Sequence, residues 1–192
     1  MDSQALPQRV SSSWRQPIFY RIRQFFQGLH ARVSVAERQM VAQILPEAAV
    51  ALFLRMPIDA QRHSLNVLYT LQAVGQQETD LAVAALLHDV GKVAADDAGV
   101  RLSLWLRGPL VILEALAPQI LDKLTATHQQ GWRYALYVQR AHPQIGAAWA
   151  SQTGCTPVAC WLIEHHQAVG AAAAHEPRYA LLVALQQADN SN

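Results

Sequence analysis

The sequence is organised around one stretch of seven residues, Leu86-Leu87-His88-Asp89-Val90-Gly91-Lys92. The apolar run over residues 81–87 predicts a buried helix that delivers His88 and Asp89 at its end, and Gly91 then predicts a helix stop. An imidazole and a carboxylate at the end of a buried helix are costly without a partner, and both side chains bind divalent first-row metals. The stretch therefore predicts a metal-binding helix end.

Other histidines and one further aspartate extend this helix end to a set of candidate metal ligands. The set comprises His63, His88, Asp89, His142, His165, His166 and Asp189. Five imidazoles and two carboxylates are too many for one tetrahedral zinc ion, but they fit two six-coordinate ions together with water. Because a carboxylate can bridge two ions whereas an imidazole binds one, Asp89 is a candidate bridging ligand.

This ligand set suggests the chemistry of phosphate-ester hydrolysis. With two ions about 3.5–4 Å apart, a metal-activated hydroxide can attack phosphorus while the metals stabilise the charge that develops. Lys92 follows His88 by four residues and Asp89 by three, so on a continued helical path its ammonium faces the same pocket and can hold a phosphate oxygen. Asp89 and Lys92 are accordingly predicted as catalytic residues.

Three histidines are left without a role. His30, His128 and His175 have no partners at motif spacing.

Helix signals recur along the chain and predict an all-α fold, since no period-two strand pattern persists for more than a few residues. The polar residues 1–13 predict a flexible tail, followed by a single domain over residues 14–192. Within that domain, residues 14–57 are predicted as N-terminal helices and residues 58–192 as the metal-binding core.

Several local signals make this prediction specific. Ser34 and Glu37 have the spacing of a capping box at a helix start. Residues 94–99, which include Asp96 and Asp97, are predicted to form a solvated loop. Pro143 is predicted in the first turn of a helix, where its missing N–H is tolerated.

Composition limits the classes of partner and compartment. With 192 residues, 52% of them hydrophobic, the chain is large enough for a sizeable core. A net charge of +1 disfavours binding to a long nucleic acid but not to a small phosphorylated or nucleotide ligand. The two cysteines, Cys155 and Cys160, form no disulfide framework, and the polar N-terminus lacks a secretory signal, so a cytoplasmic protein is expected.

Two segments leave peripheral membrane contact open. Residues 14–29 have a basic, aromatic, amphipathic pattern that suits either a membrane interface or, as we favour, packing on the domain. Residues 102–121 are strongly apolar, but Arg107 and Glu114 argue against a spanning helix and favour two short helices over the core. The sequence leaves the oligomeric state open.

The ordered motifs resemble the HD superfamily of metal-dependent phosphohydrolases, an all-α fold. The resemblance rests on His63, His88-Asp89 and Asp189. The fuller set of His88-Asp89-Val90-Gly91-Lys92, His142-Pro143-Gln144-Ile145-Gly146 and His165-His166 is similar to the subgroup that includes the HD-GYP phosphodiesterases.

The resemblance implies an HD-domain helical bundle with a two-metal site. One metal would be held by His63, His88, Asp89 and Asp189. Asp89 would bridge to a second metal held by His142, His165 and His166, and Lys92 would meet the substrate phosphate. Manganese or iron is expected, with nickel, zinc or magnesium as alternatives.

The chain also departs from the subgroup. Gln167 stands where the subgroup usually has a glutamate, and no Gly-Tyr-Pro sequence lies between His166 and Asp189. Three functions follow as hypotheses. The first is a phosphohydrolase acting on a phosphate ester or nucleotide, the second a catalytically weak nucleotide-binding or signalling module, and the third a dinuclear iron oxygenase.

Overall fold

The first three helices begin at a capping box or directly after a proline. The computed structural model describes residues 32–99, 131–168 and 178–192. Helix α1 spans Val35–Ile44 and begins with the predicted capping box, in which Ser34 Oγ accepts from the Glu37 N–H and the Glu37 carboxylate accepts from the Ser34 N–H. Helices α2 (Glu47–Arg55) and α3 (Ile58–Ala73) each follow a proline. Residues next to each helix start therefore determine where these helices begin.

Helix α4 spans Thr79–Leu87 and leads into the central stretch. Residues 83–87 are all buried, because α1, α2 and α3 pack around the helix together with two helices from the C-terminal half of the chain. Full burial of one leucine side chain contributes about 1.5–3 kcal/mol, so α4 is firmly anchored. The apolar run thus forms the central helix of the core, as predicted.

A short 3₁₀ turn, Val90–Lys92, follows α4 and continues into helix α5, Val93–Asp97. The prediction of a loop over residues 94–99 is wrong for this helical part. Val93 and Ala94 are buried, and this apolar contact gives the short helix a partner surface that the local sequence does not reveal. Asp97 is exposed and its Oδ2 lies 2.5 Å from the Arg55 guanidinium.

The long helix α6 spans Gly131–Gln152 and contains Pro143 in its interior. The prediction that Pro143 starts a helix is therefore wrong. The residues before it already form helix, and four apolar ones among them are buried. They are Tyr134, Ala135, Leu136 and Val138.

Two further helices complete the described bundle. Helix α7 spans Pro157–His165, and Thr156 caps it by accepting a hydrogen bond from the Ala159 N–H. Helix α8 spans Tyr179–Ser191. Within the three described ranges no strand forms, and the all-α prediction is confirmed.

Other expectations concern residues outside the described ranges. These are the tail 1–13, the segments 14–29 and 102–121, and the histidines His30, His128 and His175. None of the helices in the described parts of the chain is both long and apolar enough to cross a membrane.

Candidate metal centre

Six of the seven predicted ligand side chains meet in two groups of three. The outer group is His63, His88 and Asp189, and the inner group is Asp89, His142 and His166. Within each group one possible ligand atom from every member lies within 4.8 Å of the others. Since the members come from α3, α4, α6, α7 and α8, the groups exist only in the folded chain.

The outer group is built on α3, the end of α4 and the end of α8. Asp189 Oδ1 lies 2.9 Å from His63 Nε2 and 3.5 Å from His88 Nε2. His88 is fully buried, whereas the side chains of His63 and Asp189 are 24% and 27% exposed. The outer group therefore has one side towards solvent.

Asp189 lies near the end of the sequence, but its helix is tied down there. The Asn192 side-chain amide donates to Thr70 Oγ1 at 2.8 Å and to the Ala188 carbonyl at 2.7 Å. Thr70 lies two helical turns after His63 on α3, so this contact attaches the end of α8 to the face that carries His63.

The inner group is almost completely buried. Asp89 Oδ1 lies 3.4 Å from His142 Nε2 and 3.8 Å from His166 Nε2, and the two Nε2 atoms are 3.4 Å apart. His142 and His166 are 0% and 3% exposed. These three ligand atoms therefore lie within 3.8 Å of one another inside the bundle.

Asp89 connects the two groups through its two oxygens. Its Oδ1 faces His142 and His166, whereas its Oδ2 lies 3.8 Å from His88 Nε2 and 2.7 Å from Lys92 Nζ. A carboxylate that directs one oxygen towards each group has the arrangement of a bridging ligand. The Lys92 side chain is 40% exposed, so its ammonium lies between the carboxylate and solvent.

Backbone carbonyls fix the three buried imidazoles. Nδ1 of His88, His142 and His166 lies 3.0, 2.8 and 2.7 Å from a main-chain oxygen, respectively. Because a carbonyl only accepts, Nδ1 carries the hydrogen in each case, and Nε2 of the neutral ring keeps its lone pair. A metal-binding histidine has this same arrangement.

The protonation states agree with a ligand role. Burial and the neighbouring His88 lower the pKa of His166 to about 3, so this imidazole is neutral at physiological pH. Burial raises the pKa of Asp89, but Lys92 and His88 outweigh it and hold that pKa well below its usual range. Burial also raises the pKa of Asp189, but the hydrogen bond from His63 and the nearby His88 imidazole outweigh burial and lower that pKa. Both carboxylates are therefore ionised.

His88 is the clearest sign that the donor set suits a cation. Burial disfavours its charged form, but Asp89 and Asp189 outweigh burial and raise its pKa. Its Nε2 is nevertheless buried without a hydrogen bond, and the nearest carboxylate oxygen is 3.5 Å away. A buried polar atom without a partner is costly, and a divalent ion would satisfy it. The nitrogen and oxygen ligands fit a first-row divalent metal.

His165 belongs to neither of the groups found among the described residues. Its Nδ1 donates to the Trp161 carbonyl at 2.9 Å, and its ring stacks on the Trp161 indole with 4.6 Å between centroids. The ring lines a surface cleft with Gln144 and Gln167. Neighbouring helical residues point about 100° apart, so His166 faces the centre and His165 does not. Metal binding by His165 stays a prediction that this arrangement does not favour.

Gly91 and Gly146 bring the 3₁₀ turn onto α6, a packing role that the sequence did not predict. A Cβ on Gly91 would overlap the His142 carbonyl oxygen and lie 2.7 Å from the Gly146 nitrogen. Only glycine permits this approach. The available signal was their position, two residues after Asp89 and four after His142.

Comparison with the families of known proteins gives a match over most of the chain. A family model described as HD domain matches residues 61–191, a range that includes every member of both groups. No curated protein and no solved structure matches the chain.

Proposed function

The chain belongs to the HD domain family, and on that premise we propose that it is a metal-dependent phosphohydrolase acting on a phosphate ester or nucleotide. The observation that supports this most is the division of six ligands into two groups joined by the two oxygens of Asp89. A carboxylate shared between two sets of terminal ligands is an arrangement that can hold two ions close together.

The donor set favours an anionic substrate. Two divalent ions, manganese or iron first and nickel, zinc or magnesium as alternatives, would activate water and stabilise the charge developing on the phosphate oxygens. His63, His88 and Asp189 would hold one ion, and His142 and His166 the other, with Asp89 shared. Neutral imidazoles and two carboxylates leave much of the charge of two dications uncompensated, so the pocket would attract a phosphate.

Lys92 is the residue that we propose to contact the substrate. Its Nζ is anchored on Asp89 Oδ2 at 2.7 Å while the side chain remains 40% exposed. An ammonium held in this way can donate a further hydrogen bond to a phosphate oxygen that arrives from solvent. The same contact orients the Asp89 carboxylate.

The finer assignment concerns the subgroup and the substrate. The His88-to-Lys92 motif and the His142-to-Gly146 motif support a relation to the HD-GYP phosphodiesterases. Gln167 and the missing Gly-Tyr-Pro sequence separate the chain from that subgroup. We therefore propose a small phosphorylated or nucleotide substrate in the cytoplasm rather than a particular cyclic dinucleotide. Peripheral membrane contact through residues 14–29 or 102–121 is a further proposal.

The test begins with metal content. The full chain is purified without a chelating tag, analysed for each element, and then assayed with manganese or ferrous iron on phosphomonoesters, phosphodiesters and nucleotides. We expect about two ions per chain and hydrolysis of at least one class. The variants H63A and H142A should each lose one ion and the activity. A chain that binds no metal and hydrolyses nothing would contradict the proposal.

Other results of the same assay identify the alternative functions. Nucleotide binding without turnover in the metal-loaded protein would indicate a signalling module. Oxygen consumption by the ferrous protein, without phosphate release, would indicate an oxygenase.

A further inference from the structure

The three buried histidines share one hydrogen-bond pattern that His165 lacks. His88, His142 and His166 each donate Nδ1–H to the carbonyl three residues earlier, at Ala85, Gln139 and Ile163. His165 instead donates to Trp161, four residues earlier. The three-residue pattern therefore occurs in the three buried histidines of the centre and not in His165.

For two of these histidines the end of a helix supplies the carbonyl. Helix α4 ends at Leu87 and α7 ends at His165, so Ala85 and Ile163 lie in last turns. Carbonyls in the last turn of a helix have no N–H partner further along that helix. They are therefore free to accept a hydrogen bond from an imidazole.

His142 lies inside the long helix α6, where no helix end is near. In a regular helix the Gln139 carbonyl accepts from the N–H of the residue four positions later. That residue is Pro143, which has no N–H, and its ring also crowds this carbonyl. The helix interior thus contains one carbonyl without its usual donor, at the position that His142 Nδ1 reaches at 2.8 Å.

We propose that Pro143 is a positioning residue for the inner group. By leaving the Gln139 carbonyl to His142, it fixes the hydrogen on Nδ1 and directs Nε2 towards Asp89 and His166. Proline is the least favourable residue for a helix interior, yet Pro143 is buried there. This inference rests on the proposed metal site, because the orientation matters only if Nε2 binds an ion.

The first measurement uses the unaltered chain without metal. Long-range ¹⁵N–¹H NMR at about pH 8, where a free imidazole with a pKa of about 6.5 is neutral, identifies the nitrogen that carries the hydrogen. We expect His142 to be protonated on Nδ1 and bare at Nε2. The opposite tautomer, or an equal mixture, would overturn the proposal even if no variant of Pro143 folds.

The second measurement uses the P143A variant. Alanine at this position restores the N–H that competes for the Gln139 carbonyl, so a second His142 tautomer should become populated in the metal-free protein. The affinity for one of the two ions should fall about 10–100-fold. The melting temperature should not fall, because alanine is a far better helix residue. A merely structural proline would not give this combination.

Two control variants test whether P143A acts through the Gln139 carbonyl. P157A replaces the proline at the start of α7, where the missing N–H is not needed, and Q139A changes only the side chain of the residue whose carbonyl is at issue. Both should keep the His142 tautomer and the metal affinity. If P143A also keeps the His142 tautomer and the metal affinity, or changes the tautomer without losing metal affinity, the inference is wrong. The NMR result does not depend on turnover, so it stands apart from any failure to find a phosphohydrolase substrate.

Discussion

The backbone of Gly91 approaches the backbone of His142 so closely that a Cβ on residue 91 would overlap the His142 carbonyl oxygen. On the other side of the contact, Gly146 would place a Cβ 3.2 Å from the Gly91 nitrogen. The approach sets the distance between the chain segments that carry Asp89 and His142. Backbone packing, rather than the ligands alone, therefore determines the geometry of the inner group.

The variant G91A should be strongly destabilised, because the added methyl group meets rigid backbone rather than a movable side chain. We expect the free energy of unfolding to fall by about 3 kcal/mol or more, measured by urea denaturation. Loss of one bound ion should accompany it. The matched control is G99A, since Gly99 has φ +69° but nothing near its Cβ position. That variant should lose only about 1–2 kcal/mol, and equal losses in the two variants would refute the packing argument.

The neighbouring histidines His165 and His166 should differ in their effect on metal binding. H166A removes an imidazole from the inner group and should lose one of the two ions. H165A removes a ring that stacks on Trp161 outside both groups, so its metal content should equal that of the wild type. Element analysis of the two purified variants gives the answer. Equal loss of metal in both would restore His165 as a ligand.

Lys92 should affect turnover far more than metal content. Removing one preorganised donor to a developing oxyanion lowers kcat about 100-fold, and we expect K92Q to show a loss of this order in kcat/KM. The control R38Q removes an equal charge from an exposed position on α1. Steady-state kinetics on the best substrate, with metal analysis of the same samples, checks the prediction. A normal rate in K92Q would show that Lys92 does not contribute to catalysis.

Glu37 should make stability depend on pH. Its carboxylate accepts from both terminal nitrogens of Arg62 at 2.8 Å, and this bond lowers the Glu37 pKa from about 4.5 to about 2. Because the folded pKa is below the unfolded one, the stabilisation is complete above pH 4.5 and disappears as the pH falls towards 2. At neutral pH, E37Q should lose about 1 kcal/mol and about 2–4 °C in Tm.

Thermal melts of E37Q and the wild type across this pH range test the assignment. The two curves should converge as the pH approaches 2. The exposed Glu47 offers the control E47Q, which removes a carboxylate from the first turn of α2 without touching Arg62. A constant gap between E37Q and the wild type at all pH values would mean that the Arg62 contact does not titrate.

Local signals in the sequence predicted the parts of the fold that depend on neighbours along the chain. The capping box of Ser34 and Glu37 forms because residues three apart meet at any helix start. The short helix α5 was missed because its reason is tertiary. The burial of Val93 and Ala94 holds this short segment in helical form. Pro143 was wrongly predicted to start a helix for the same reason. Packing of the preceding residues extends the helix past this proline.

That most of the candidate ligand side chains would meet was predictable, because few other uses exist for so many histidines around one buried carboxylate. Their division into an outer and an inner group was not predictable from the sequence. Which of His165 and His166 faces the centre depends on the rotation of α7 about its axis, and that rotation is set by contacts with α4 and α6. The close contact of Gly91 with α6 also could not be predicted, because it joins two segments that are remote in sequence.

The unequal depth of the two ligand groups has a kinetic consequence. His142 and His166 are sealed in the bundle, whereas His63 and Asp189 keep about a quarter of their side-chain surface in water. Ions should therefore exchange at different rates in the shallow and the deep positions. A chelator should empty the shallow position quickly and the deep one slowly, so partly demetallated samples would hold a single, slowly exchanging ion.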